Sequence, residues 1–221
     1  PNGSGKTSLL NALTGVVTAT GEMSVRGQSV RLGYPRVVRA RGVIRTFQAP
    51  QVFKALTCAE DVMLSTADRR ETGIAVAWFR RPTMMRREYV RWRKAAQALE
   101  TVGLLWAADV PAKELAYGDQ RMLELARAIA GDASVLLLDE PSAGLSPDET
   151  DHLRRVVDGI RANGTGILLV DHKIDFVSAL CHEIVVLELG NVIARGAPNV
   201  VFGDARVIDA YLGVAEPDQP H

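Results

Sequence analysis

The sequence predicts an α/β fold with a mainly parallel sheet, and two observations carry that prediction. Residues 135–138 and 167–170 are short apolar runs, each followed by an acidic residue, as is typical of strands buried on both faces of a parallel sheet. Neighbouring segments repeat apolar residues at helical spacing, and a glycine-rich stretch opens the first helix. We therefore expect strands and helices packed around one core.

The composition is that of an ordinary globular protein, with 47% apolar and 24% charged residues. Lys plus Arg and Asp plus Glu each number 26, so we expect no bulk polyanion and no nucleic acid as a partner. Cys58 and Cys181 are expected to be unpaired, buried thiols in a reducing compartment. No apolar run reaches the ~18 residues that a membrane span needs, and no signal peptide is visible.

The first eight residues end with Gly5, Lys6 and Thr7 in register with the phosphate-binding pattern G-x-x-x-x-G-K-[ST], so the chain begins inside the motif. In such a loop, backbone N–H groups converge on phosphate, the lysine reaches the terminal phosphates, and the hydroxyl can ligate Mg²⁺. The helix that follows turns its positive end towards the anion. The alternative is an ordinary Gly-Ser turn before a helix. The residues assigned to phosphate are Asn2, Gly3, Ser4, Gly5, Lys6, Thr7 and Ser8.

A hairpin and a strand follow the first helix. Residues 22–32 alternate around a turn at 27–28, which predicts a small antiparallel hairpin. Strand-like residues 43–47 lead into Gln48, whose amide near bound phosphate can complete a Mg²⁺ shell or hold a water. A buried edge strand that ends in a solvated glutamine is the alternative.

Residues 50–114 have a different texture and predict a helical insertion. Thr57 is expected to cap a helix over 58–63. A basic run over 80–94 continues into a helix that stops at Gly103. Its arginines are candidates for anionic lipid head groups or an acidic partner, and a solvated helix face is the alternative.

A strong helix opens after Leu115, with Gly118 at its start as another potential anion site. Its apolar positions continue to residue 130. The three charged residues Arg121, Glu124 and Arg127 are expected on or near its polar face.

The strand over 135–138 ends in Asp139 and Glu140. Two carboxylates at the end of a buried strand are costly unless a cation meets them. A nucleotide's Mg²⁺ supplies that charge, and ligands of open α/β sheets bind at these strand ends. Asp139 is expected to hold the metal and Glu140 to polarise an attacking water. The alternative is a solvated acidic turn.

Ser146 is expected to cap a helix over 147–162, with Glu149 completing a capping box. The next strand, 167–170, ends in Asp171 and His172. The histidine could bond a γ-phosphate or orient water, although a lone histidine is often structural. A strand–turn–strand with its turn at 190–191 and a helical tail over 198–212 complete the prediction.

In this order, the segments resemble the nucleotide-binding subunit of an ABC transporter. The matches are the phosphate loop, the glutamine at Gln48, the signature segment 115–121, the strand with Asp139 and Glu140, the loop 142–146 and His172. Within that family, RTFQ at 45–48, LAYGDQR at 115–121 and VIDAYLG at 207–213 look most like the ATPase subunits of branched-chain amino-acid importers.

The resemblance implies a P-loop NTPase (RecA-like) core over 1–49 and 115–221, with a small antiparallel β subdomain. It implies that the helical subdomain, 50–114, contacts transmembrane permease subunits on the cytoplasmic face of the plasma membrane. Two ATP-binding subunits, identical or different, would pair head to tail, and a solute-binding protein outside the membrane would act indirectly. Each ATP, with Mg²⁺, would lie between one phosphate loop and the partner's Tyr117, Gly118 and Asp119.

The resemblance also implies the role of each site residue. Lys6 and Thr7 would bind phosphate and Mg²⁺, and Gln48 would sense the metal and its water. Asp139 would hold Mg²⁺, Glu140 would be the general base, and His172 would complete the γ-phosphate site.

The chain departs from the family pattern in its signature segment. Ala116 replaces a serine whose hydroxyl touches the γ-phosphate across the dimer, Tyr117 replaces a glycine, and Asp119 replaces a glutamine. We expect weaker engagement of ATP by the partner subunit. Ser146 stands where an acid is usual, and the aromatic residue that stacks on adenine is expected before residue 1.

Two other functions compete with the importer subunit. One is a soluble ABC-type ATPase acting on DNA or ribosomes, which usually has tandem cassettes or a long coiled-coil insertion. The other is a nucleotide-dependent binding module with little hydrolysis, which Ala116 and Asp119 would favour.

Overall fold

The computed structural model describes residues 1, 3–66 and 81–212, without the side chains of 81–87, 211 and 212. Two short 3₁₀ turns, Leu105–Ala107 and Ala112–Glu114, separate the fourth and fifth helices. In chain order the elements are α1 (Lys6–Leu13), β1 (Ser24–Val25), β2 (Gln28–Ser29), α2 (Pro35–Ala40), β3 (Val43–Arg45), α3 (Cys58–Ser65), α4 (Arg81–Thr101), α5 (Tyr117–Ala130), β4 (Val135–Asp139), α6 (Pro147–Ala162), β5 (Gly166–Val170), α7 (Ile174–Leu180), β6 (Ile184–Glu188), β7 (Asn191–Gly196), α8 (Pro198–Val201) and α9 (Ala205–Leu212).

The parallel sheet has the order β3-β4-β5, and the predicted α/β fold class is confirmed. Arg45 of β3 pairs with Leu137, and Asp139 of β4 pairs with Val170. The segments after all three strands therefore leave the sheet at the same edge. The central strand β4 is buried through Leu136, Leu137 and Leu138, as predicted.

The prediction that 167–170 is buried on both faces is wrong. Leu168 is 36% exposed, and no residue of β5 is fully buried. Among the described strands, β5 pairs with β4 alone, and its other edge borders a groove of about 540 Å³. The apolar side chains of β5 and β6 line that groove.

Both antiparallel hairpins turn one residue earlier than predicted. Arg26 and Gly27 form the first turn with φ of 51° and 73°, and Leu189 and Gly190 form the second with 47° and 82°. Two successive residues with positive φ are the geometry that matches the twist of a tight hairpin. The glycine is therefore the second turn residue in each case, not the first.

The capping predictions for two helices are confirmed. Thr57 with Glu60 and Ser146 with Glu149 form complete capping boxes at the starts of α3 and α6. The predicted tail is two helices, α8 and α9, rather than one.

One apolar core joins the helical insertion to the sheet. It contains Val62 of α3, Leu99 of α4, Leu123 of α5, Leu136 of β4 and Leu153 of α6. The division into a core and a helical subdomain at residues 50 and 114 stays a prediction. Among the described helices, every one falls short of the length or apolar character that a membrane crossing requires.

Both cysteines are free thiols, as predicted. Cys58 is buried, and burial raises its pKa to about 11. Cys181 is only partly buried, so the prediction that its thiol is buried is wrong. It lies beside the groove next to β5, where the packing is open.

Candidate nucleotide-binding site

The glycine-rich loop wraps in front of α1. Gly3 and Gly5 have φ of 71° and 99°, a conformation that glycine adopts without steric cost. The Lys6 ammonium is held across its own loop, donating to the Pro1 carbonyl oxygen and, at 3.3 Å, to the Ser4 hydroxyl. Asn2 lies outside the described residues.

The turn between β6 and β7 supports this loop from outside. The Gly190 N–H donates to the Ser4 carbonyl oxygen at 3.0 Å. A Cβ on Gly5 would lie 3.6 Å from the Gly190 Cα, so the two backbones are in close contact. The hairpin therefore holds the loop in place.

The first turn of α1 is open to solvent. Its N-terminal cap is Gly5, which has no side chain to satisfy the free N–H groups, and Thr7 and Ser8 are exposed. Leu10 is fully buried and packs with Leu137 of β4, which anchors α1 on the sheet. The open N–H groups and the positive end of the helix suit an anion.

Three residues predicted from separate segments meet at the edge where the parallel strands end. The Gln48 amide Nε2 donates to Glu140 Oε2 at 3.0 Å. The His172 Nε2 lies 2.6 Å from Glu140 Oε1. The Glu140 carboxylate, 18% exposed, is thus held between side chains that follow β3 and β5.

The backbone at Glu140 is unusual, with a φ of 47°. Its N–H donates to the Val170 carbonyl oxygen at 2.7 Å, which fixes it against β5. A non-glycine residue in this conformation carries strain that the surroundings must outweigh, as often occurs at functional sites.

The segment after β5 is ordered by Asp171. Its carboxylate accepts hydrogen bonds from the Ser142 hydroxyl at 2.7 Å and from the His172 N–H at 2.8 Å. Sequence reasoning gave Asp171 no role, because nothing in the sequence marks Ser142 as its partner.

Asp139 is paired with an arginine that the sequence analysis also left without a role. Its Oδ2 lies 2.7 Å from Arg45 Nη2, and Arg45 Nη1 donates to Asn11 Oδ1 at 2.6 Å. This bridge joins β4, β3 and α1. It places the acidic strand end beside the helix that carries Lys6.

The Thr7 hydroxyl and the Asp139 carboxylate are of the kinds that bind a magnesium ion. Carboxylate and hydroxyl oxygens suit Mg²⁺, which usually takes one or two protein ligands and completes its shell with phosphates and water. Within the described residues, no group of three or more His, Cys, Asp or Glu side chains could hold a metal by itself. A site made of Thr7, Asp139 and a phosphate chain agrees with that finding.

The signature residues Tyr117, Gly118 and Asp119 lie apart from this cluster, in the first turn of α5. They pack on the segment that follows β4. A Cβ on Gly118 would come 2.2 Å from Glu149 Oε1, and the Tyr117 ring lies close to Gly144. A larger residue at 118 would require the Glu149 side chain to move. A role of these residues towards a partner's nucleotide stays a prediction.

Arg121 and Glu124 lie on the polar face of α5, but this face is buried rather than solvated. Arg121 is 0% exposed and Glu124 is 6% exposed. Arg121 donates to the carbonyl oxygens of Phe47 and Gln48, and Glu124 Oε1 accepts the Phe47 N–H at 3.1 Å. The polar face of α5 is buried because it supplies hydrogen-bond partners for the segment after β3.

Arg127 and Asp61 extend this network along the same segment. Arg127 donates to the Gln51 carbonyl oxygen, and its Nε lies 3.3 Å from the fully buried Asp61. Asp61 Oδ2 accepts the Phe53 N–H at 3.2 Å. The signal in the sequence is the spacing of Arg121, Glu124 and Arg127, three charges on one helix face.

A phosphate loop at a helix N-terminus, beside an acidic strand end, defines a P-loop nucleotide-binding protein. The family model described as "ABC transporter" matches residues 1–143. The chain is 38% identical over 218 residues to the high-affinity branched-chain amino acid transport ATP-binding protein LivG of Escherichia coli (strain K12), covering 97% of this chain and 85% of that protein. It is 37% identical, with the same coverage, to BraF of Pseudomonas aeruginosa, which carries the same description.

Solved structures agree with these relatives. An ATP-binding cassette of an ABC transporter in its ADP conformation matches with a TM-score of 0.79 at 27% identity, covering 96% of this chain and 85% of that one. A nucleotide-free cassette matches with a TM-score of 0.77 at 26% identity. The chain belongs to the ABC transporter family, which confirms the resemblance and the predicted P-loop fold.

We expect Arg121→Met to destabilise the protein by about 3–5 kcal/mol, because it leaves the buried Glu124 carboxylate without its cation. The double variant Arg121→Met/Glu124→Leu should recover much of that loss, since both charges are then gone. Urea unfolding measures both.

The exposed Arg206, paired with Asp204, is the matched control, and Arg206→Met should leave the free energy of unfolding unchanged. A double variant as unstable as Arg121→Met alone would contradict the assignment of Glu124 as the group left unpaired.

Burial raises the pKa of Glu124 above its ordinary value of 4.5, despite the opposing Phe47 N–H and Arg121. The folded state therefore binds the proton of the Glu124 carboxyl group more tightly than the unfolded chain does. As the pH rises from 4.5 through the raised pKa, that proton is lost and the contribution of Glu124 to the free energy of unfolding falls. Relative to wild type, Glu124→Gln should become progressively more stable over that range. Urea unfolding from about pH 4 to about pH 8 measures the difference.

Glu183→Gln is the control of opposite sign. Its hydrogen bonds from Arg195 lower the pKa of Glu183, so that contribution is present above the ordinary value and is lost as the pH falls. A Glu124→Gln difference that does not vary with pH would contradict the burial argument.

Proposed function

We propose that this chain binds and hydrolyses ATP as the energy-coupling subunit of an importer for branched-chain amino acids. The observation that supports it most is the meeting of Gln48, Glu140 and His172 beside the helix that carries Lys6. The transported substrate is taken from the descriptions of LivG and BraF.

The phosphate loop would bind the triphosphate. No side chain caps the first turn of α1, so its backbone N–H groups are available to an anion. The Lys6 ammonium, which bonds to the Pro1 carbonyl and Ser4 hydroxyl, would exchange those neutral acceptors for phosphate oxygens. Such charge-assisted bonds are about twice as strong as neutral ones.

Mg²⁺ would be held by the Thr7 hydroxyl and the Asp139 carboxylate, where it neutralises charge that develops on phosphate oxygens. Thr7 is exposed in the first turn of α1 and free to turn towards such an ion.

Glu140 would act as the general base. Its two carboxylate oxygens are oriented by Gln48 and His172, and its backbone has a φ of 47°. A carboxylate within hydrogen-bond reach of a water can take its proton as the water oxygen bonds to the γ-phosphorus, while the bond from that phosphorus to the oxygen bridging to the β-phosphate breaks and ADP leaves. Gln48 and His172 would then hold the water and a γ-phosphate oxygen.

Two copies, or one copy and a different ATP-binding subunit, would enclose the nucleotide between phosphate loop and signature segment. The helical region 50–114 would contact the permease at the cytoplasmic face of the membrane. Large apolar side chains exposed in that region support this assignment: Leu64, Tyr89, Trp92, Leu105 and Trp106. Exposed apolar groups of this size are typical of surfaces that meet a partner.

We expect Glu140→Gln to lower ATP turnover by about 10²–10⁴-fold, because glutamine cannot accept the proton. Binding of Mg-ATP should persist, since the phosphate loop is unchanged. A phosphate-release assay and equilibrium binding measure the two properties separately. The exposed Glu22→Gln is the control and should hydrolyse ATP like wild type.

Unchanged turnover in Glu140→Gln would show that Glu140 is not the base. Binding without turnover in the wild-type chain would instead favour the nucleotide-dependent binding module.

We expect Ala116→Ser to tighten ATP-driven dimerisation by about 10–100-fold, because the added hydroxyl supplies a hydrogen bond to phosphate of about 1.5–3 kcal/mol. Sedimentation with Mg-ATP, in a Glu140→Gln background that prevents hydrolysis, measures the dimer. Residue 116 is also the N-cap of α5, so the serine can stabilise the monomer.

The comparison with ADP separates the two effects. If Ala116→Ser dimerises in ATP no more tightly than the protein that keeps Ala116, the contact with the γ-phosphate is contradicted. The same holds if the serine tightens dimerisation in ADP as much as it does in ATP.

A further inference from the structure

Arg45 is a buried cation at the position where a metal is expected. It is the last residue of β3, and its side chain is 5% exposed. Its guanidinium bonds to Asp139 Oδ2 at 2.7 Å and to Asn11 Oδ1 at 2.6 Å, and it lies 5.1 Å from the centre of the Phe47 ring. Three elements therefore converge on one positive charge.

The Arg45 charge stabilises the ionised form of the buried Asp139 carboxylate. With its side chain only 8% exposed, the carboxylate would be costly to keep ionised without a cation. A bound metal ion can supply that cation only while it is present. Arg45 supplies one from the chain itself.

The pairing is incomplete. Arg45 Nε is buried and has no hydrogen-bond partner among the described residues. A buried donor without a partner raises the free energy of the arrangement. The ion pair is therefore less stable than a fully bonded guanidinium would be, which makes it easier for another cation to displace.

We propose that Arg45 competes with the divalent cation for Asp139, so that it neutralises this carboxylate in the nucleotide-free protein and weakens metal binding until nucleotide arrives. The proposal rests on the proposed function, because it takes Asp139 as the metal-binding carboxylate. A guanidinium on Oδ2 occupies lone pairs that the metal needs, and two cations at one carboxylate repel each other.

The position of Asn11 links this competition to the phosphate loop. Asn11 lies on α1, five residues after Lys6, which is about 7.5 Å along the helix axis. Its amide oxygen and the Phe47 ring remain as partners for the guanidinium if Asp139 turns to a metal. The Arg45 side chain would then stay buried against α1 rather than enter solvent.

The test is Mn²⁺ binding to the nucleotide-free protein, followed by electron paramagnetic resonance of the free ion. Arg45→Met should bind Mn²⁺ at least tenfold more tightly than wild type. Arg45→Lys keeps the positive charge but loses the planar guanidinium group, so its affinity for Mn²⁺ should lie between those of Arg45→Met and wild type. The exposed Arg41→Met is the matched control and should bind Mn²⁺ like wild type.

Thermal melting gives a second measurement. Arg45→Met leaves Asp139 without a cation, so the variant should melt at a lower temperature, and Mn²⁺ should raise that temperature more than it does in wild type. If Arg45→Met fails to fold, Arg45→Gln replaces it, because the amide can still donate a hydrogen bond to Asp139 but carries no charge, and it should also bind Mn²⁺ more tightly than wild type.

Mn²⁺ affinity that is equal or weaker in the folded variants would overturn the competition and identify Arg45 as a group that only orients Asp139. These measurements need no nucleotide. A wild-type chain that fails to bind a fluorescent ADP analogue would therefore refute the proposed function, while tighter Mn²⁺ binding by Arg45→Met would still support the competition at Asp139.

Discussion

The parallel register of β3, β4 and β5 is the constraint on which the rest of the site depends. Because Arg45 lies beside Leu137 and Asp139 beside Val170, the segments after the three strands leave the sheet together. Gln48 and His172, which lie 92 and 32 residues from Glu140 along the chain, then both contact the Glu140 carboxylate. A shift in register would separate them, since side chains alternate between the two faces of a strand.

Buried charge holds this edge in place at a cost to stability. Arg121 and Glu124 are inaccessible to solvent or nearly so, and they bond to the backbone at Phe47 and Gln48. A buried ion pair is weak evidence for stability, and an apolar pair is often as good. What the charges provide is a fixed path for the segment after β3, which sets the position of Gln48. Hydrogen bonds thereby join the helix that begins with the signature residues to the segment that carries Gln48.

Much of the fold could be predicted because its signals are local. The apolar run of β4, the capping box at Ser146 and the glycine loop before α1 each depend on a few neighbouring residues. The exposure of β5 could not be predicted, because it depends on what lies on the far side of the strand. The bonds from Arg45 to Asn11 and Asp139, and from Arg121 to the Phe47 and Gln48 carbonyl oxygens, span 34 to 94 residues of the chain, so no local pattern reveals them. The site predictions came from motif residues to which a role could be assigned, whereas Arg45 and Arg121 belong to the segments 45–48 and 115–121 but had no assigned role.

The central claim is that one nucleotide and one metal ion lie between Lys6 and the acidic pair at the end of β4. A crystal structure of Glu140→Gln with ATP and Mn²⁺, using the anomalous signal of manganese, tests it most directly. We expect a metal peak bonded to the Thr7 hydroxyl and held by Asp139 directly or through water, with the triphosphate along the loop that ends at Lys6. A metal peak away from Asp139, or a triphosphate that does not contact Lys6, would contradict it.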